Sequence, residues 1–122
     1  MEATTVSIPG LIVFTPQPHI DRRGFFSRTF DAQVARSAGI DPTAFVQDSV
    51  SRSARGVIRG LHVRVGAGEN KLVRCSAAPY STLWLPCAPH HQRFDGGFHL
   101  TLTGTTSGRC TFQPDARIAS KH

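Results

Sequence analysis

The stretch RGVIRGLH, residues 55–62, places Arg59, a glycine and His62 within four positions. Histidine has an unperturbed pKa near neutral, so an imidazole held in a pocket beside a guanidinium is equipped to draw a proton from an anionic substrate. In a strand over VIRGLHVRV (57–65), strict alternation puts Val57, Arg59, Leu61, Val63 and Val65 on one face and Ile58, Gly60, His62 and Arg64 on the other. Arg59 and His62 then point apart. A bulge at Gly60 resets the register by one residue and turns both to the same face. The competing reading is a glycine that lets neighbouring strands approach closely and an ordinary hydrogen-bonded histidine.

The elements that must position these residues are short and mostly extended. LIVFT (11–15) is a compact apolar run that stops at the Pro-rich PQPH, and FFSRTF (25–30) alternates apolar and polar residues after the turn-like DRRG. Both read as strands. DAQVARSAG (31–39) has Asp31 where a helix N-cap belongs and Gly39 where a C-cap glycine belongs, which predicts one short helix near 31–38. AFVQDSVSRS (44–53), VIRGLHVRV and KLVRCS (71–76) follow as three further predicted strands, separated by Ser, Arg and Gly turns or by GAGEN (66–70). The cadence is that of a β-sandwich or barrel.

At 122 residues the chain fits one domain. No apolar run approaches the ~20 residues that span a bilayer, and MEATTVSIPG lacks the regions of a signal peptide, so a soluble cytoplasmic protein is the expectation. Cys75, Cys87 and Cys110 are odd in number and lack zinc-site spacing; His90, His91 and His99 fit no ligand pattern either, and no metal is expected. The net charge is +6 and 12 of the 14 basic residues are arginine. They are scattered singly or in pairs with acids between, which favours discrete anion contacts over a nucleic-acid-binding stripe.

DRRGFFSRTF (21–30), FVQDSVSRS (45–53), GVIRGLH (56–62) and KLV (71–73), in that order, resemble the N-terminal half of the dTDP-4-dehydrorhamnose 3,5-epimerase family. The family pattern runs D-x-R-G-x-F, F-x-Q-x-N-x-S-x-S, R-G-L-H and K-L-V, and the match spans roughly residues 9 to 76. The resemblance implies an all-β, cupin-type jelly roll (a double-stranded β-helix), incomplete in this chain. It also implies a homodimer that needs no cofactor and inverts C3 and C5 of a 4-keto sugar on thymidine diphosphate, toward dTDP-L-rhamnose.

Proton removal beside a ketone needs a base held against the carbon and a group that stabilises the enolate oxygen. By resemblance His62 is that base and Lys71 supplies the ammonium for the oxyanion. Arg23 and Arg59 match arginines that hold the diphosphate, while Phe26, Gln47 and Ser49 match substrate-binding positions. Two departures stand out: Arg28 occupies a position where the pattern commonly has Glu, and Ser49 replaces the Asn of Q-x-N. Each removes a hydrogen-bonding group that orients substrate.

A larger departure follows KLVRCSA. All nine valines lie at or before Val73, although a jelly roll draws on β-branched residues throughout. Only FHLTLT (98–103) and STLWL (81–85) read as strands in the remainder. Within the limits of the codon table, Ala77 to Asp95 can be re-read one base away as GAIFDVVVALRPTSPTFRRW, in the order of the family's continuation. Residues 1–76 are therefore expected to form the N-terminal part of the jelly roll. Residues 77–122 are expected to be an atypical tail, out of frame, poorly ordered and ended by an early stop. The family's proton donor comes from later segments, and Tyr80 lies in the wrong context to replace it, so weak or absent turnover is expected. Two rival functions are a non-catalytic basic β-module that binds polyanions and an epimerase acting at a single carbon.

Overall fold

The computed structural model describes residues 1–62, 70–76, 79–86, 97–102, 109–111 and 116–121. Strands β1 (Glu2–Thr5) and β2 (Ile12–Thr15) pair antiparallel, and β2 pairs in turn with β8 (Arg109–Thr111). The β1–β2 connection turns at Ile8-Pro9-Gly10-Leu11, where the Leu11 N–H donates to the Ile8 carbonyl at 3.1 Å and Gly10 has φ +78°. Proline second and a positive-φ glycine third are what a type II turn requires. In β2 the alternation is plain: Ile12 and Phe14 are buried and Thr15 is exposed.

Strands β3 (His19–Asp21) and β4 (Gly24–Phe26) form a separate hairpin closed by Arg22 and Arg23. Helix α1 (Ala32–Ser37) follows, shorter by one residue at each end than the predicted span and capped as predicted. The Asp31 carboxylate accepts the Gln33 and Val34 N–H groups at 2.9 and 3.1 Å. At the other end Gly39 takes φ +80°, and the N–H groups of Gly39 and Ile40 donate to the carbonyls of Arg36 and Ala35, the pairing of a Schellman motif. A 3₁₀ turn (Pro42–Ala44) comes next, with Asp41 accepting the Thr43 N–H and hydroxyl.

The third sheet has the order β5-β9-β6-β7, from β5 (Ile58–His62), β6 (Tyr80–Pro86), β7 (Phe98–Leu102) and β9 (Ala116–Lys121). Leu102 and Thr82 are fully buried in it, and the Thr82 hydroxyl donates to the Leu100 carbonyl at 3.1 Å. The core lies between the sheets: Ile8 and Leu11, Leu11 only 1% exposed, pack with Val6, Val13, Val73 and Leu100.

Several predicted strands need correction. AFVQDSVSRS is not a strand: Ala44 ends the 3₁₀ turn and residues 45–53 carry no regular structure. Its alternation is answered by no ladder among the described residues, and Val46 and Val50 stand 86% and 93% exposed. FFSRTF is a strand only to Phe26, and KLVRCS keeps a single bridge at Val73. The two strands read in the tail are present as β6 and β7, and β8 and β9 add two that residue type did not signal. Residues 63–69, Cys87, His90 and His91 lie outside the described residues. Among the described residues no helix is long and apolar enough to cross a membrane.

Candidate functional site

The site is built on β5 and the chain that runs into it. Arg59 pairs with Ser120 of β9 and His62 with Ile118, so three residues of β5 advance against two of β9. The extra residue is a β-bulge, and Gly60 within it has φ +136°, a conformation L side chains rarely adopt. Ser120 and Ile118 are two apart on β9, so their partners Arg59 and His62 share one face of the sheet. The bulge reading of VIRGLHVRV holds, and strict alternation is broken where the glycine sits.

Arg59 is held from behind. Residues 54–57 form a turn in which the Val57 N–H donates to the Ala54 carbonyl at 3.3 Å and Gly56 takes φ +83°. This reversal sets residue 53 beside residue 59. The Arg59 Nε–H donates to Ser53 Oγ at 2.7 Å, and Nη2 reaches the Arg52 carbonyl at 3.4 Å. At the far end of the same segment Phe45 meets Phe30 edge-on, ring centroids 6.2 Å apart at 82°. Gln47 and Ser49, both exposed, lie between these two attachments.

The other residues singled out by sequence are distributed as follows. His62 is exposed on β5, and Lys71 is half-buried two residues before the core residue Val73. Phe26 is 73% exposed on β4. Arg23 sits in the β3–β4 turn with Nε and Nη2 donating to Asp21 Oδ2 at 3.1 and 2.6 Å, while its backbone N–H donates to Oδ1 at 2.8 Å. The Arg23 guanidinium, and then its N–H, hold the Asp21 carboxyl below the ordinary carboxylate value; the carboxylate in return raises Arg23. Arg28 is committed elsewhere: Nη1 donates to Asp31 Oδ2 at 2.8 Å, bracing the carboxylate that caps α1.

Ser53 is the residue that sequence reasoning missed. Its signal is the last Ser of the F-x-Q-x-N-x-S-x-S pattern, which falls on Ser53 and was given no role. A groove of about 520 Å³ between β1 and α1, lined by Thr5, Ile12, Gln33, Val34 and Ser37 among others, contains none of the candidate residues. Its lining offers no titratable side chain. No group of three or more His, Cys, Asp or Glu among the described residues is placed to hold a metal.

The family model for dTDP-4-dehydrorhamnose 3,5-epimerase matches residues 5–105. A dTDP-4-dehydrorhamnose 3,5-epimerase of Pseudomonas aeruginosa is 45% identical over 76 residues, 62% of this chain and 42% of that protein. The chain thus spans about two fifths of the length of such curated relatives. Among solved structures, a 4-keto-6-deoxy sugar epimerase of Streptomyces spheroides superposes with a TM-score of 0.88 at 23% identity, over 99% of this chain and 61% of the other. A dTDP-6-deoxy-D-glucose-3,5-epimerase of Legionella pneumophila, in complex with dTDP-4-keto-L-rhamnose, superposes with a TM-score of 0.74 at 26% identity, over 98% and 70%. The fold is the jelly roll of these epimerases, all-β with one short helix.

Proposed function

Because the chain belongs to the dTDP-4-dehydrorhamnose 3,5-epimerase family, we propose that it binds a thymidine-diphosphate 4-keto sugar and that His62 removes a proton from a carbon beside the ketone. The observation that carries this reading is the Gly60 bulge, which sets a potential base and a potential diphosphate ligand on one face of β5. A relative crystallised with dTDP-4-keto-L-rhamnose supports the ligand class.

In this reading Arg59 and Arg23 grip the diphosphate oxygens, a task suited to the planar guanidinium. Arg23 exchanges Asp21 for phosphate when it does so. Phe26, Gln47 and Ser49 contact the remainder of the nucleotide sugar. As the C–H bond breaks toward His62, its electron pair forms a C=C bond to the carbonyl carbon and the carbonyl oxygen becomes an oxyanion, which the Lys71 ammonium stabilises. Inversion then requires a proton delivered to the opposite face. No residue of this chain is assigned that role, so proton exchange at the carbon outruns net inversion. No metal or cofactor enters the scheme, and the cytoplasm is its setting.

Deuterium exchange from solvent into a dTDP-4-keto-6-deoxy sugar, followed by NMR, tests this. Slow exchange by the wild type, lost in His62→Ala, is expected; equal exchange by the two proteins overturns the assignment. Salt-dependent binding to any nucleic acid with no preference for thymidine nucleotides would instead favour a polyanion-binding module.

Ile20, Phe25, Val46, Val50 and Ile58 are exposed, and their cover against a second copy is what supports the homodimer. Light scattering that finds only monomer overturns the homodimer. The valine-free stretch after Val73 supports a single-base shift after Cys75. Resequencing the gene decides it, since the proposal needs an open continuation one base away.

A further inference from the structure

We infer that Ser53 is a positioning residue for nucleotide binding: it fixes the Arg59 guanidinium and couples it to the segment carrying Gln47 and Ser49. This rests on the reading of Arg59 as a diphosphate ligand. An arginine side chain has many rotamers, and ordering them is part of the cost of gripping a phosphate. Ser53 lowers that cost beforehand. Its hydroxyl oxygen accepts the Nε–H at 2.7 Å, the donor nearest the stem, and so sets the plane of the whole guanidinium.

The contact reaches further than one side chain. Residues 45–53 have no regular structure, so their position depends on their ends. Phe45 against Phe30 secures one end, and Ser53 with the Arg52 carbonyl on Arg59 secures the other. Losing the Ser53 hydroxyl therefore loosens both Arg59 and the chain that presents Gln47 and Ser49. The Gly56 turn between residues 53 and 59 keeps the two side chains within reach.

The test is thymidine diphosphate binding by isothermal titration calorimetry on five proteins: wild type, Ser53→Ala, Ser53→Thr, Arg59→Ala and the double variant Ser53→Ala with Arg59→Ala. Loss of one hydrogen bond to a charged group is expected to weaken binding about tenfold in Ser53→Ala. Ser53→Thr keeps the hydroxyl and should stay within about twofold of wild type. In the Arg59→Ala background Ser53→Ala should change nothing more, because the group it positions is gone. A Ser53→Ala protein that binds like wild type overturns the inference, and so does an equal loss in both backgrounds, which is the mark of a merely structural role. Wild-type binding that Arg59→Ala leaves untouched fails differently: it removes the diphosphate reading of Arg59 itself, and the inference with it.

Discussion

Arg59 and His62 are three residues apart in the chain yet occupy one face of β5, opposite positions on β9 that are two apart. The extra residue is accommodated at Gly60, whose φ of +136° is rarely open to an L side chain. Gly60→Ala must either strain the bulge or remove it, at a cost of about 1–3 kcal/mol. Removing it returns His62 to the far face. Urea denaturation should show the lower stability, and thymidine-diphosphate binding and proton exchange should fall together; a variant with unchanged exchange would show that the bulge does not aim the histidine.

Proton exchange should separate the two groups assigned to the chemistry. His62→Ala is expected to reduce it by about 10²–10⁴-fold, the usual contribution of a general base. Lys71→Met is expected to cost about 10²–10³-fold, as for loss of one oxyanion partner, while thymidine diphosphate still binds. Exchange measured by NMR beside binding measured by calorimetry checks both.

Leu11 is 1% exposed and packs with Ile8 at the centre of the core. Leu11→Ala leaves a cavity that Val6, Val13, Val73 and Leu100 surround, and should cost about 2–5 kcal/mol. In a chain of this size that is a large share of the total stability. Thermal melts by circular dichroism should show the midpoint lowered by about 10 °C or more.

Acid should weaken the fold modestly through three exposed aspartates. The Val34 N–H and then the Arg28 guanidinium hold Asp31 below its ordinary value of 3.8, the Thr43 hydroxyl and N–H do the same for Asp41, and Arg23 for Asp21. A carboxyl depressed in the folded state stabilises above its unfolded pKa, and that contribution disappears as pH falls through the folded value. The denaturation midpoint should therefore be flat near neutral pH and decline below about pH 4. Asp31→Ala should lower Tm by a few degrees at pH 7 through loss of the α1 cap and make the acid decline shallower. Melts across a pH series with and without the substitution check the sign.

The features legible in sequence are those whose causes are local. Asp31 and Gly39 sit at the ends of the helix they cap, and each acts within a few residues. Gly60 interrupts an alternating pattern where the ladder is interrupted. Ile12 and Phe14 are buried because their own strand alternates. What was not legible depends on distant partners. Val46 and Val50 read as strand residues, but strand formation needs a neighbour to complete the ladder, and none is described for them. β1 (EATT) is wholly exposed and extended because β2 lies beside it. ARIASK is a strand because β5 and β6 flank it on both sides, not through strong propensity. At the site, Arg59 and His62 were visible by type, whereas Ser53, the last Ser of its motif, gained its partner only through the turn at Gly56.

The order β5-β9-β6-β7 carries a consequence for how the protein is made. The strand bearing Arg59 and His62 leaves the ribosome well before β9, the neighbour against which its bulge is registered. Until residues 116–121 have been synthesised, β5 can hold neither that neighbour nor the alignment of its two side chains, and its hydrogen-bonding edge is open to other nascent chains. Alignment of the two side chains therefore waits on synthesis of β9, and chaperone supply while the β5 edge is open should govern how much competent protein a cell obtains.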